Sequence, residues 1–133
     1  MTDRLLAAAR AARTQAFAPY SQFAVGAALE SADGQIFPGC NVESASYGLT
    51  ICAERNALFR AICDGARSFV RIVVVTDTET PTPPCGACRQ LLWEFAPEAE
   101  VLLVNLRGDM VQYTVRELMP GAFDRHQLPP RRH

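Results

Sequence analysis

At 133 residues the chain has room for one domain, residues 1–133, and its 49% hydrophobic content excludes it from the disordered class. A formal net charge of −1 leaves no basic stripe for a nucleic acid or an anionic membrane, so the expected partner is a small molecule and neither of those. No apolar run approaches the roughly 18 residues of a membrane span, and Met1-Thr2-Asp3-Arg4 opens without the apolar stretch of a secretory leader, which points to the cytoplasm.

In chain order, Leu5, Leu6, Ala9, Ala12, Ala16 and Phe17 recur at three- and four-residue spacing among Arg4, Arg10 and Arg13. That pattern predicts an amphipathic helix from Thr2 to about Phe17, ended by Pro19. Phe23 to Leu29 reads as an apolar strand rich in small residues, and the turn Ala32-Asp33-Gly34 folds it into a hairpin with a strand over about Gln35 to Asn41. Ser44 to Leu49 reads as a loop. Thr50 is placed to cap a helix running to about Cys63, with Gly65 just beyond, so Cys52 falls in the first turn. The residues of that helix are apolar on nearly every side, which predicts burial.

Phe69 to Val75 is a continuous apolar run, the pattern of a strand covered on both faces. A polar, proline-rich loop from Thr76 to Pro83 follows. Pro84 suits the first turn of a helix to about Phe95, which sets Cys85 and Cys88 one turn apart on one face. Glu100 to Asn105 and Met110 to Val115 are the last two strands. The turn between them is too short for a parallel crossover, so they are antiparallel. A short helical turn from Val115 to Met119 stops at Pro120-Gly121, and the tail from Asp124 to His133 looks loosely held. These elements predict an α/β fold: a mixed five-stranded sheet with helices packed on it.

Five cysteines are an odd number for a disulfide framework, and three of them sit in two short motifs, Cys52-Ala53-Glu54 and Pro84-Cys85-Gly86-Ala87-Cys88. Three thiolates suit zinc and leave a fourth position for water, as at a hydrolytic site. Glu54, two residues past Cys52, points away from a shared ligating face but is able to lean over the open position and move protons. Cys63 would lie about 16 Å further along the same helix, too far to ligate. Cys40 ends a strand, and the sequence leaves its distance open. A structural zinc knuckle or a redox pair is the rival reading of Cys85 and Cys88; the first usually needs four ligands, and the second a thioredoxin-like strand pattern that is lacking.

With these motifs in place, the chain resembles the small, zinc-dependent, homotetrameric cytidine deaminases. The likeness runs from about Tyr20 to Phe123, through Phe23-Ala24-Val25-Gly26-Ala27-Ala28, Gly39-Cys40-Asn41-Val42-Glu43, Tyr47-Gly48-Leu49-Thr50, Cys52-Ala53-Glu54-Arg55, Pro84-Cys85-Gly86-Ala87-Cys88-Arg89-Gln90 and Leu118-Met119-Pro120-Gly121-Ala122-Phe123. The resemblance implies a three-layer cytidine-deaminase-like fold and a Zn2+ cofactor held by Cys52, Cys85 and Cys88. It makes Glu54 the proton shuttle, has Asn41 and Glu43 hold the ribose 3′-hydroxyl, packs Phe23 against the base and sets the Ala53 N–H on the pyrimidine carbonyl. Arg55 would hydrogen-bond the cysteine sulfurs. Ala45, Tyr47 and Phe123 would complete the sites of neighbouring subunits.

The implied reaction is hydrolytic deamination of cytidine and 2′-deoxycytidine to uridine and 2′-deoxyuridine, with release of ammonia, in pyrimidine nucleoside salvage. Water activated at zinc would attack C4 while Glu54 moves a proton toward N3 and then the leaving amine. The rival within this chemistry is a deaminase of another aminopyrimidine nucleoside, such as blasticidin S. From another class, the rival is a non-catalytic nucleic-acid-binding zinc protein, which would need a basic face.

Overall fold

The computed structural model describes residues 2–130. Strand β1 (Val25–Ser31) pairs antiparallel with β2 (Ile36–Cys40) and with β3 (Phe69–Thr76). β3 runs parallel to β4 (Glu100–Asn105), and β4 antiparallel to β5 (Met110–Thr114), giving one five-stranded sheet in the order β2-β1-β3-β4-β5. The mixed sheet and its antiparallel last pair are as the turn lengths predict. Pro38 lies on the edge strand β2, where its missing N–H costs no inter-strand bond on the open side.

Successive side chains of a strand point to opposite faces, so the apolar runs of the central strands divide cleanly between two layers. Ala28, Val73, Val75, Leu102 and Val104 face helix α1 (Thr2–Arg13), which contributes Leu5 and Ala9. Their neighbours Ala27, Leu29, Ile72, Val74, Val101 and Leu103 face the opposite layer, where α2 (Ala53–Cys63) supplies Ala57, Leu58 and Ala61 and α3 (Gly86–Phe95) supplies Leu92. The three layers are thus α1, the sheet, and α2 with α3. A short helix α4 (Val115–Leu118) closes the end of β5 through a capping box between Thr114 and Glu117.

Several boundaries differ from the sequence pattern. α1 stops at Arg13 rather than near Phe17, because Thr14, Gln15 and Ala16 tighten into three-residue turns and the Phe17 N–H then bonds the Asn41 carbonyl. Phe17 is left exposed instead of packed under the helix. β1 starts at Val25, not Phe23, since the Asn41 side chain rather than a neighbouring strand takes the Val25 N–H. α2 buries Ala53, Glu54, Ala57, Leu58 and Ala61 but exposes Phe59, Arg60 and Cys63, so one side faces solvent and burial on every side does not hold. The chain after Phe123 is held better than its composition suggests. The Asp124 carboxylate accepts from Trp93 Nε1 at 2.9 Å and from the His126 N–H at 2.8 Å, and residues Arg125–Gln127 form a 3-10 turn. The final part of that tail, 131–133, lies outside the described residues.

Two glycines set the depth of the packing. At Gly26 on β1 a Cβ would lie 2.0 Å from the Ala9 carbonyl oxygen, so α1 rides directly on the strand backbone. At Gly39 on β2 a Cβ would lie 2.4 Å from the Ala57 nitrogen and 2.7 Å from the Ala53 carbonyl oxygen. The first turn of α2 therefore rests against β2 with no side chain between them. Backbone cannot yield as a flexible side chain can, so Gly39→Ala is expected to cost at least about 1–3 kcal/mol of unfolding free energy. The exposed Gly48, whose added Cβ meets nothing within 4 Å, serves as the control, and Gly48→Ala should stay within about 0.5 kcal/mol. Equal denaturation midpoints for the two variants would contradict the close approach.

Candidate metal centre

In parallel α/β pairs the crevice at the carboxyl ends of the strands is the natural place for a ligand. Here β3 and β4 end together at Thr76 and Asn105, and β1 starts beside them, with Val25 opposite Thr76. Two chain segments bring thiols to this end. After β2 the chain makes a 3-10 turn (Tyr47–Leu49), and Ile51 bridges back to Val42 before α2 starts. After β3 a proline-rich loop leads to α3.

Cys52 is the N-cap of α2 and Cys85 the N-cap of α3, both in extended backbone conformation. This corrects both predicted helix starts by a few residues. Thr50 does not cap α2: its hydroxyl accepts the Ser44 N–H at 3.1 Å, while the pairing of Ile51 with Val42 holds the chain extended up to Cys52. Pro84 lies outside α3, and its carbonyl accepts from Arg89 Nε at 2.8 Å. Cys88, in the first turn of α3, is fully buried.

The three sulfurs lie within 4.8 Å of one another, with Cys52 Sγ 3.7 Å from Cys85 Sγ and Cys85 Sγ 3.4 Å from Cys88 Sγ. A disulfide would need about 2.0 Å. Tetrahedral zinc with Zn–S bonds of about 2.3 Å separates its sulfur ligands by about 3.8 Å, so the donor set fits that ion. Among the described residues the cluster includes neither Cys40 nor Cys63. The exposure of Cys63 at the far end of α2 agrees with its exclusion by distance.

The groups around the sulfurs move two of the thiols in opposite directions. A hydrogen bond from the Cys88 thiol, helped by Arg55, draws the Cys52 thiol down to about 5 in spite of burial. The same contact with the Cys52 thiolate, together with burial, pushes Cys88 up. Arg55 Nη2 donates to Cys52 Sγ at 3.4 Å, and that bond raises the guanidinium above its ordinary value. Glu54, in the first turn of α2, is 6% exposed, and burial lifts its carboxyl to about 7. A carboxyl poised there is able to hold a proton and to release it near neutral pH.

Beside the thiols a cleft of about 310 Å³ is lined by Phe23, Asn41, Glu43, Ala53 and Glu54, together with Cys52 and Cys85. All seven are residues singled out by the sequence motifs. Asn41 is nearly buried, its Oδ1 accepting from the Val25 N–H at 2.8 Å and its Nδ2 donating to the Phe23 carbonyl at 2.7 Å. Glu43 accepts from the Ser21 hydroxyl and from the N–H groups of Tyr20 and Ser21, which hold its carboxylate below the usual range.

The three residues linked by resemblance to neighbouring subunits do not line this cleft within one chain. Ala45 is exposed, Tyr47 stands 74% exposed beside Tyr20 with ring centres 5.8 Å apart, and Phe123 is 56% exposed. The Phe123 carbonyl accepts from Gln90 Nε2 at 2.7 Å. Sequence reasoning missed Thr76, Thr82 and Pro83 in the cleft wall. Only their nearness to Pro84-Cys85 and to a strand end was available as a signal.

Residues 1–104 match the family model described as the cytidine and deoxycytidylate deaminase zinc-binding region. A cytidine deaminase of Sporosarcina psychrophila is 51% identical over 127 residues, 95% of this chain and 93% of that protein. The crystal structure of a cytidine deaminase from Burkholderia pseudomallei superimposes with a TM-score of 0.90 at 52% identity, over 92% of this chain and 99% of that one. A blasticidin-S deaminase of Bacillus cereus is more distant, 32% identical over 110 residues, 77% of this chain and 78% of that protein.

Zinc must displace protons to gain three thiolates, and the raised Cys88 thiol is the one that yields last. Cys52, drawn down to about 5, is already ionised at neutral pH and releases almost nothing there. Affinity measured against a chromophoric chelator should therefore climb steadily from pH 6 to pH 8, with proton release on binding. An affinity independent of pH over that range would contradict this account of the sulfur cluster.

Proposed function

Since the chain belongs to the cytidine deaminase family, we propose that its cleft takes cytidine and 2′-deoxycytidine and converts them to uridine and 2′-deoxyuridine with release of ammonia, in pyrimidine nucleoside salvage in the cytoplasm. The enzyme is a zinc-dependent hydrolase. The observation that carries the reading is the meeting of three thiols with a nearly buried carboxyl at one end of a cleft large enough for a nucleoside. The match at 51% identity to a cytidine deaminase, against 32% to a blasticidin-S deaminase, favours plain cytidine. Among the described residues no helix is long and apolar enough to cross a membrane.

Cys52, Cys85 and Cys88 would hold the zinc ion, which supplies Lewis acidity to a water molecule when bound. Glu54 takes a proton from the attacking water and passes it to ring N3, then takes the proton of the C4 hydroxyl formed by the attack and gives it to the departing amine as the C4 carbonyl forms. Its lifted pKa suits both halves of that task, since burial keeps the protonated form accessible near pH 7. The Ala53 N–H, unpaired within its own helix as one of the first amides of α2, meets the pyrimidine carbonyl. Phe23 packs on the base, and Asn41 with Glu43 receives the ribose 3′-hydroxyl. Arg55 draws charge from the sulfur cluster, which would otherwise carry three negative charges against two positive ones.

The sites are shared in a homotetramer, with Ala45, Tyr47 and Phe123 reaching neighbouring clefts. Exposure supports this: Tyr47, Phe123, Leu49, Phe17 and Val42 are apolar or aromatic, and each is between 47% and 74% exposed. That much uncovered apolar surface favours association.

Incubation with cytidine, deoxycytidine, cytosine and blasticidin S, followed by ammonia release, tests the reaction. The first two should be turned over and the last two should not. Glu54→Gln should keep zinc and fold yet lose roughly 10²–10⁴-fold or more in turnover. Near-normal ammonia release from that variant with its metal bound would remove Glu54 from the mechanism. Phe123→Ala should weaken substrate binding. Mixed tetramers of Phe123→Ala chains with inactive Glu54→Gln chains should recover part of the activity, and no recovery despite proven subunit exchange would count against shared sites.

A further inference from the structure

Thr76, the last residue of β3, forms a branched chain of hydroxyls with Thr78 and Thr82 of the loop before α3. Thr78 Oγ1 donates to the Thr80 carbonyl, and it lies 3.0 Å from Thr76 Oγ1 and 3.0 Å from Thr82 Oγ1. A hydroxyl has one proton and two lone pairs. The Thr80 carbonyl has no proton to give, so the single Thr78 proton is committed to it. Thr76 and Thr82 must then each donate to Thr78, whose two lone pairs are filled. Thr76 and Thr82 are also the two members of the set that line the cleft, and Thr82 stands three residues before Cys85. With their protons given to Thr78, these two hydroxyls have only lone pairs left to offer another group.

Thr76 is fixed at the end of β3 with 1% of its surface exposed, opposite Asn105 on β4. Asn105 braces the loop from the other side, donating through Nδ2 to the Glu79 carbonyl at 3.0 Å while its Oδ1 takes the N–H groups of Arg107 and Asp109. The loop is therefore anchored at both ends of the threonine chain, and the direction of the hydroxyl protons is built into the fold.

Resting on the deaminase reading above, we infer that Thr82 is a specificity-determining residue: an obligate acceptor that favours an N–H donor, the amine of an aminopyrimidine, over the carbonyl oxygen of the oxo product. Thr78 is a positioning residue that acts through it, and the buried Thr76 fills the other lone pair of Thr78. An exocyclic amine brings donors to such a wall, whereas a carbonyl oxygen meets lone pairs with lone pairs. The same preference eases product departure.

The test compares zinc-loaded wild type with Thr78→Val, Thr82→Val and Thr82→Ser, measuring KM for cytidine and the inhibition constant of uridine. Thr78→Val frees the protons of Thr76 and Thr82, so the ratio of the uridine inhibition constant to the cytidine KM should fall on the order of five-fold, the worth of one ordinary hydrogen bond. Thr82→Val should lower the same ratio by weakening cytidine, and Thr82→Ser, which keeps the hydroxyl, should restore the wild-type value. Unchanged ratios in the valine variants at normal zinc content overturn the proposal. Should Thr78→Val lose its metal or fold, the Thr82 pair decides alone: equal ratios for valine and serine overturn it, and a fall in valine reversed by serine supports it. A wild-type protein inert on cytidine would instead remove the reading on which the proposal rests.

Discussion

The structure depends on bringing two helix N-termini to one point. Cys52 and Cys85 occupy the N-cap positions of α2 and α3, and Cys88 lies in the first turn of α3, so the sulfurs sit where free amides and the positive ends of two helix dipoles converge. Each helix is held there by a different constraint. α2 is seated on β2 through the absent side chain of Gly39, and α3 follows the parallel pair of β3 and β4 as the connection between them. Movement of either helix by an ångström or two would pull the sulfurs out of reach of one small ion.

This placement has a cost for the helices themselves. Neither Cys52 nor Cys85 makes a side-chain capping bond, although the N-cap is where serine, threonine, aspartate or asparagine usually adds about 1 kcal/mol. The thiols are directed at one another instead. A bound cation offsets that loss, which couples metal binding to the stability of both helix starts. Arg55 sits in the same first turn as Glu54 and answers the excess negative charge of the sulfurs, while Glu54 makes no ion pair among the described residues and is governed by burial. Adjacent residues of one helix turn thus take different electrostatic tasks, Arg55 through its hydrogen bond to Cys52 and Glu54 through burial.

The cleft is finished on its inner side and open on its outer side. Its inner wall is tied by directed hydrogen bonds: Asn41 clamps the start of β1, Ser21 with its neighbour holds Glu43, and the threonine chain with Asn105 sets the loop before α3. The outer rim is marked by exposed aromatics, Tyr20 and Tyr47 in contact with one another and Phe123 well exposed. Rigid polar anchoring inside and exposed apolar surface outside support the shared site proposed above.

The sequence alone determined the layer order and the chemistry. Apolar runs at Phe69 to Val75 and Glu100 to Asn105 had to be strands covered on both faces, the four-residue turn after Asn105 had to be antiparallel, and Cys52-Ala53-Glu54 with Pro84-Cys85-Gly86-Ala87-Cys88 specified a three-thiol site with a nearby carboxyl, because these follow from local spacing. Boundaries set by distant partners were not legible there. α1 ends early because the Phe17 N–H finds Asn41, twenty-four residues on, and α2 starts late because Ile51 pairs with Val42. The same reason hides the roles of Thr76, Thr82 and Asn105. Threonine and asparagine near a strand end read as ordinary loop residues, and only the packing of β3 against β4 decides where their protons must go.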